Sequence, residues 1–319
     1  MVESGDYITP VYHEKKRFAK PILYYWMVVS SYEIFGISLS SARLPSVLFG
    51  VLSIGLVFLL GCRLFDNRVG LLSAFILPSI YLHFQISRWS TTDMALSFFV
   101  LLALYFFVHS FQTNFQKIIY IYLFYFSLGL GFMVKGPPAI LIPSLTVFGF
   151  LVTIKRKIRF VDMRIGRGFI ILFILIIPWF AAMLGMHGDE FKNHIVGNEI
   201  KNRLVHDTPF SFYFFGVLFR YHLPWILFFM VAFLHQFGFC GQTLSTASGV
   251  SEYLKKVPGN MKTRIKLLFA RENESVLLCY IWILVCLILF TLVRTEHSRY
   301  MLPASSAVAI LVAKLFADM

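Results

Sequence analysis

Apolar residues run along this chain in long blocks separated by short polar breaks. After a mixed opening segment, residues 1–42, nine blocks follow: about 43–65, 69–87, 93–111, 118–134, 137–154, 168–185, a seventh within 211–236, about 275–293 and about 300–317. Most come close to the roughly 20 residues that a helix needs to cross the hydrocarbon core of a bilayer. Backbone groups in lipid must be satisfied internally, so blocks of this length predict helices rather than strands of an open sheet. The seventh block contains Pro224. It reads either as one kinked span or as an interfacial piece followed by a shorter span. The opening segment holds one shorter apolar stretch, 22–35, directly behind Lys20 and Pro21. It is too short to span but long enough to lie along a membrane surface, and proline suits the first turn of a helix. The pattern therefore predicts an all-α, polytopic transmembrane protein with about nine crossings. An outward interfacial segment, 1–42, precedes a helical membrane domain, 43–319.

Composition agrees. The chain is 58% hydrophobic and 14% charged, where soluble domains carry about 25% charged residues. Its net charge of +13 needs no nucleic acid, because anionic headgroups and basic cytoplasmic loops account for it. Cys62, Cys240, Cys279 and Cys286 fall in or beside apolar runs without metal-ligand spacing, and read as packing residues. The first 21 residues are polar or mixed, so no cleavable signal peptide is expected within them. Neither a fixed-period repeat nor a low-complexity tract is visible.

Basic residues set the orientation. Loop 155–167 holds Lys155, Arg156, Lys157, Arg159, Arg164 and Arg167, and loop 237–274 holds six more. Two crossings separate these loops, so both face the cytoplasm by the positive-inside rule. Segments 1–42, 88–92, 186–210 and 294–299 then face outward, the periplasm or exterior of a cell inner (plasma) membrane. Lys15, Lys16, Arg17 and Lys20 thus stand outside, where simple positive-inside anchoring does not put them. An outward segment 1–42 also has no element to translocate it. An earlier transmembrane helix would do so, and the natural chain is expected to extend upstream of Met1.

Several outward residues suit an anionic, sugar-like ligand. The opening offers Asp6, Tyr7, Tyr12, His13, Glu14 and Lys20; the next break offers Arg88, Trp89 and Asp93; Lys135 ends the fourth block. Loop 186–210 adds His187, Asp189, Glu190, His194, Glu199, Arg203, His206 and Asp207, and the last outward loop Arg294, Glu296, His297 and Arg299. Asp93 and Lys135 stand at the outer edge of apolar blocks, where ionisable groups tend to be functional or paired. The plainer alternative is snorkelling to the headgroups, and for the loop histidines it is polar surface. The spacing of His187, Asp189 and His194 is not a recognised metal-ligand pattern. A divalent metal is the one cofactor left open, with no ligand set identified.

The phrases SGDYITP (4–10), RFAKPILYYW (17–26), ARLPSVLFG (42–50), TTDMALSFF (91–99), GLGFMVKGPPAILIP (129–143), PWF (178–180) and RYMLP (299–303) occur in one order. Together they resemble the GT-C membrane glycosyltransferases of the protein-mannosyltransferase and lipid A aminoarabinose-transferase group. The resemblance implies a polyprenyl-phosphate-linked sugar donor and transfer to a lipid, glycan or protein acceptor on the outer face of the membrane. Lys20 matches a family lysine associated with the lipid phosphate, although Ala19 replaces the acid usually before it. Arg88 and Asp93 match the arginine and threonine-aspartate ahead of the next helix, and Lys135 the lysine-glycine-proline lysine. Glu199, Arg203 and His206 match, less securely, three residues of the large outward loop. Arg299 and Tyr300 match the late arginine-tyrosine pair. The family's catalytic carboxylate belongs to an acidic pair upstream of the SGD phrase, which this sequence does not include.

Glycosyl transfer needs an acceptor nucleophile, a leaving group and charge relief at an oxocarbenium-like centre. A polyprenyl phosphate leaves as an anion, so it needs cations fixed where its charge grows. Lys20 and Arg203 are expected in that role, supported by Lys135, Arg299, Arg88 and Tyr300. Asp93, Asp6 and Glu199 are the remaining candidates for the carboxylate that orients or deprotonates the acceptor. The competing reading is a lipid or solute transporter. Such proteins place polar groups near the bilayer midplane, whereas here the charges gather in the outward segments, with Arg220 the main exception.

Overall fold

The computed structural model describes residues 1–2, 4–12, 15–154, 160–195, 197, 211–236, 273–293 and 296–319. Twelve α-helices account for most of these. They are α1 (Leu23–Phe35), α2 (Leu39–Leu64), α3 (Asn67–Ser79), α4 (Tyr81–Ser87), α5 (Thr92–Gln112), α6 (Ile118–Lys135), α7 (Pro138–Thr153), α8 (Ile165–Asn193), α9 (Tyr213–Tyr221), α10 (Trp225–Gln236), α11 (Glu274–Val293) and α12 (Ser305–Asp318). Two 3₁₀ turns, Phe160–Met163 and Ser298–Ala304, lead into α8 and α12. A two-residue antiparallel ladder, β1 (Val11–Tyr12) with β2 (Lys15–Lys16), folds the opening segment back on itself.

Local chemistry sets several boundaries. Ser38 starts α2 through a capping box with Ser41, so this helix begins ahead of the expected residue 43 and carries Pro45 within its first two turns. Asp66 caps α3 by accepting from the Val69 N–H at 2.9 Å. Gly136, at φ 87°, ends α6, and Pro137 and Pro138 open α7.

Among the described residues, six helices are long and apolar enough to cross a membrane, and up to eight if each bent pair is one span. The expected nine crossings are thus not all matched by straight, full-length helices. The second block is α3 and α4, bent by 64° next to Pro78. The seventh is α9 and α10, bent by 112° next to Pro224, which favours an interfacial piece followed by a short helix. The fifth, α7, has 16 residues. The sixth differs most: α8 runs on to Asn193, well into the expected loop 186–210, with one break at Gly188 (φ 48°, ψ −124°). The reason lies in its apolar contacts, since Phe191 is buried and meets Phe18 and Trp179 edge-on. Residues 237–272 of loop 237–274 and 155–159 of loop 155–167 lie outside the described residues.

Helices α5 and α12 form the buried spine. α5 packs on α2 and α6, and α12 on α3 and α10. By contrast α8 leaves Phe169, Ile170, Phe173 and Ile174 largely exposed, as a lipid-facing helix does. Cys279 and Cys286 are buried on α11 and Cys62 is partly buried on α2, in keeping with packing roles; Cys240 lies outside the described residues.

Candidate functional site

The site grows from helix ends. Thr91 is extended (φ −137°, ψ 152°), so α5 starts at Thr92 and Asp93 stands in its first turn. A carboxylate is favoured there by the helix dipole, as is a cation in a last turn. Lys135 occupies the last turn of the neighbouring α6. Because α5 and α6 are packed, consecutive helices, the end of one meets the start of the other, and Lys135 Nζ donates to Asp93 Oδ1. The turn after α11 adds Arg299, whose Nε lies 3.5 Å from Asp93 Oδ2. Lys135 Nζ also sits 4.4 Å from the centre of the Tyr300 ring, which stacks on Phe290 at 5.1 Å. Asp93 and Lys135 are only 4% and 7% exposed. Both carboxylate oxygens of Asp93 are thus engaged by cations.

This cluster forms one wall of a cavity of about 750 Å³. The opposite wall is the opening segment and α1, through Arg17, Lys20, Tyr24, Tyr25 and Tyr32. Tyr24 is buried and its hydroxyl lies 2.7 Å from Ser46 Oγ, which ties α1 to α2. Ser46 Oγ donates in turn to the Thr91 carbonyl at 3.2 Å. Among the described residues, four cations, Arg17, Lys20, Lys135 and Arg299, line this cavity together with the carboxylate of Asp93. His297 completes the rim with its ring edge-on to Tyr300 at 5.5 Å. Burial and then the Arg299 charge, helped by Lys135 and Lys20 and opposed by Asp93, hold its pKa below the usual 6.5.

A second cluster holds the opening segment in place. Asp6 Oδ1 accepts from the N–H groups of Ile8 (2.9 Å) and Thr9 (3.0 Å). The Thr9 bond is the chief reason that the Asp6 pKa falls below 3.8. Thr9 Oγ1 meets His187 Nε2 at 2.9 Å, Trp179 donates to the Ile8 carbonyl at 3.1 Å, and Lys16 pairs with Glu190 at 2.7 Å.

Of the sequence candidates, Lys20, Asp93, Lys135, Arg299 and Tyr300 come together in the cavity. Asp6 does not line it. Arg88 is exposed beyond it, 5.2 Å from the centre of the Phe84 ring. Glu199 and Arg203, with His206 and Asp207, lie outside the described residues. His187 contacts Thr9 and Phe18, and no three described His, Cys, Asp or Glu residues form a group that could hold a metal ion. Sequence reasoning missed Arg17 and the tyrosine face of α1. Its signal was present: Lys20, Tyr24, Val28 and Tyr32 recur every fourth residue, one row along a helix.

The family model for dolichyl-phosphate-mannose-protein mannosyltransferase matches residues 19–181, just over half of the chain. The chain is 26% identical to undecaprenyl phosphate-alpha-4-amino-4-deoxy-L-arabinose arabinosyl transferase 2 of Pseudomonas fluorescens, a match that covers 100% of this chain and 53% of that relative. Among solved structures, ArnT from Cupriavidus metallidurans bound to undecaprenyl phosphate superposes with a TM-score of 0.80 at 22% identity, over 100% of this chain and 54% of that one. The Archaeoglobus fulgidus oligosaccharyltransferase tethered with an acceptor peptide does so with a TM-score of 0.55 at 14% identity, over 94% and 41%. The chain spans about half the length of the curated relatives it matches. At these identities the two structures speak for the fold alone. The chain belongs to the dolichyl-phosphate-mannose-protein mannosyltransferase family, and its fold is that of the GT-C membrane glycosyltransferases.

Proposed function

We propose that this multi-pass membrane protein serves transfer of a sugar from a polyprenyl-phosphate donor to a lipid, glycan or protein acceptor, at the outer face of the cell membrane. The observation that carries this reading is the cavity itself, where, among the described residues, Arg17, Lys20, Lys135 and Arg299 line one space beside Asp93 at the ends of apolar helices. A phosphodiester headgroup on an apolar chain fits such a place: its charge meets lysine and arginine, and its chain runs along the exposed apolar faces of α1 and α2. Lys20 and Arg17 bind the phosphate from the side of α1, whose first turn has no side-chain cap hydrogen bond and so leaves backbone N–H groups to an anion. Lys135 and Arg299, fixed by Asp93, stabilise the charge that grows as the C1–oxygen bond to phosphate breaks. Asp93 acts by positioning these two cations, because both its oxygens are engaged by them. A transporter would place such groups near the midplane, whereas Asp93 and Lys135 stand at helix ends.

Undecaprenyl phosphate titrated into the full chain in nanodiscs tests the reading. Lys20→Ala should weaken binding by roughly ten- to a hundredfold, the value of one charge-assisted contact. Lys20→Arg should recover part of it, since a planar fork replaces a point charge. Binding that is unchanged in Lys20→Ala at equal protein level would remove the lysine from the site.

A further inference from the structure

Arg220 is the one Asp, Glu, Lys or Arg of the apolar block 211–236, and it does not line the cavity described above. It stands near the end of α9, just ahead of the 112° bend into α10. α10 has 12 residues, about 18 Å of rise, where the hydrocarbon core measures about 30 Å. A helix so short starts within the apolar layer, so Arg220 stands at a depth where ionisable groups are costly and mark a function or a partner. Among the described residues no carboxylate forms an ion pair with it, and its guanidinium lies 5.9 Å from the centre of the Tyr221 ring. A second cavity, of about 600 Å³, opens beside it, lined by Tyr81, Gln85, Arg220, Tyr221, Leu223 and Pro224. Two bends make this notch: the 64° turn from α3 to α4 supplies Tyr81 and Gln85, and the turn from α9 to α10 supplies the rest. Both bends are pinned. Trp225 Nε1 donates to Ser79 Oγ at 2.8 Å, from one bend to the other. The buried His222 ring meets Ser305 Oγ at 3.0 Å and ties the second bend to α12.

We propose that this notch holds the headgroup phosphate of an anionic diacyl phospholipid, a lipid site separate from the cavity that Lys20 lines. Charge and shape carry the assignment. The guanidinium supplies the cation, and an amide and two phenols around it supply neutral hydrogen-bond donors. That set matches the single negative charge of a phosphodiester. Leu223 and Leu227 at the head of α10 and Phe215 and Phe219 on α9 are exposed, and give the two acyl chains an apolar surface beside the headgroup. α4 and α9 both pack on the Ser298–Ala304 turn, which carries Arg299 and Tyr300. A lipid wedged between α4 and α9 therefore braces the turn that also lines the first cavity. The inference needs the membrane fold and not the glycosyl-transfer reading.

Native mass spectrometry of the full chain tests it, with the protein stripped of lipid in detergent and then offered dioleoyl phosphatidylglycerol or dioleoyl phosphatidylcholine. The parent should retain phosphatidylglycerol several-fold better than the zwitterionic lipid, and its unfolding temperature should rise with the lipid bound. Arg220→Gln should retain phosphatidylglycerol about tenfold less well, as expected for one charge-assisted contact. Arg220→Lys should recover part of that, because a point charge replaces a fork. Gln85→Leu should lose a few-fold. Two controls separate the notch from the first cavity: Arg220→Gln should bind undecaprenyl phosphate within about twofold of the parent, and Lys20→Ala should retain phosphatidylglycerol. Equal retention of the two lipids by the parent, or unchanged retention in Arg220→Gln, overturns the proposal and leaves an arginine that only snorkels to the headgroups. Displacement of phosphatidylglycerol by an equal concentration of phosphatidic acid, a phosphomonoester, overturns the phosphodiester assignment. If Lys20→Ala loses phosphatidylglycerol as well, the two lipids share one site and the proposal falls, whatever becomes of the polyprenyl phosphate reading.

Discussion

Two of the cation–carboxylate contacts among the described residues, one buried and one exposed, differ in almost everything but their chemistry. Lys135 and Asp93 join the end of α6 to the start of α5, with side chains 6% and 5% exposed. Lys16 and Glu190 join the opening segment to the end of α8, with side chains 46% and 57% exposed. Water solvates the second pair almost as well apart as together, so its contact adds little. The first pair has left water behind. Each partner then depends on the other, because a lone charge at that depth keeps its desolvation cost with no attraction to offset it. The buried pair can therefore hold Lys135 and Arg299 in place for a ligand, whereas the exposed pair can only help to steer a segment onto a surface.

The contrast breaks most sharply at Asp93. Asp93→Ala removes the carboxylate that both Lys135 and Arg299 contact and should cost about 3–5 kcal/mol of stability. The loss is read as a lower unfolding temperature in detergent and less protein in the membrane. The double variant Asp93→Asn with Lys135→Met removes both charges and should regain much of that stability, as replacing a whole buried pair often does. It should not regain binding of undecaprenyl phosphate, because the cation is gone. If the double variant is no more stable than Asp93→Ala, the two residues act separately and the pair is not the unit of the site.

The exposed pair supplies the smaller effect. Lys16→Ala and Glu190→Gln should each leave the unfolding temperature within a degree or so of the parent, with phosphate binding retained. Lys16 does not line the cavity, unlike Lys20 four residues on. A loss of binding in Lys16→Ala equal to that in Lys20→Ala would mean that the basic cluster works as one patch, and the distinction between anchor and ligand would fall.

Much of this was legible in the sequence, for physical reasons. Long apolar blocks declare membrane helices because lipid imposes one requirement on every backbone group. Asp93 and Lys135 stood out because charge at the edge of such a block is costly. Their mutual contact was not legible, since it depends on which helices pack, and neither was the row of Tyr24 and Tyr32 facing it across the cavity. The end of α8 was misjudged because 186–193 looks polar in composition, while the burial of Phe191 against Phe18 and Trp179 keeps it helical. A break at Pro224 was expected and the bend at Pro78 was not, because proline marks where a helix can break and packing decides whether and by how much.

Asp6 is the smallest test and separates charge from shape. From sequence it was a candidate for the acceptor's base. In the structure its carboxylate closes a turn on the N–H groups of Ile8 and Thr9 and does not line the cavity. Those bonds hold its pKa below 3.8, so the turn's charge-dependent stability is fully present above that pH and is lost as pH falls through the lower, folded value. Asparagine keeps the accepting oxygen without the charge and closes the same kind of turn. Asp6→Asn should therefore bind undecaprenyl phosphate and turn over within about twofold of the parent. Asp6→Ala, which removes the acceptor altogether, should loosen the opening segment, read as faster proteolysis ahead of Lys20. A base cannot be replaced by an amide, so a large loss of turnover in Asp6→Asn with the turn intact would return Asp6 to the chemistry.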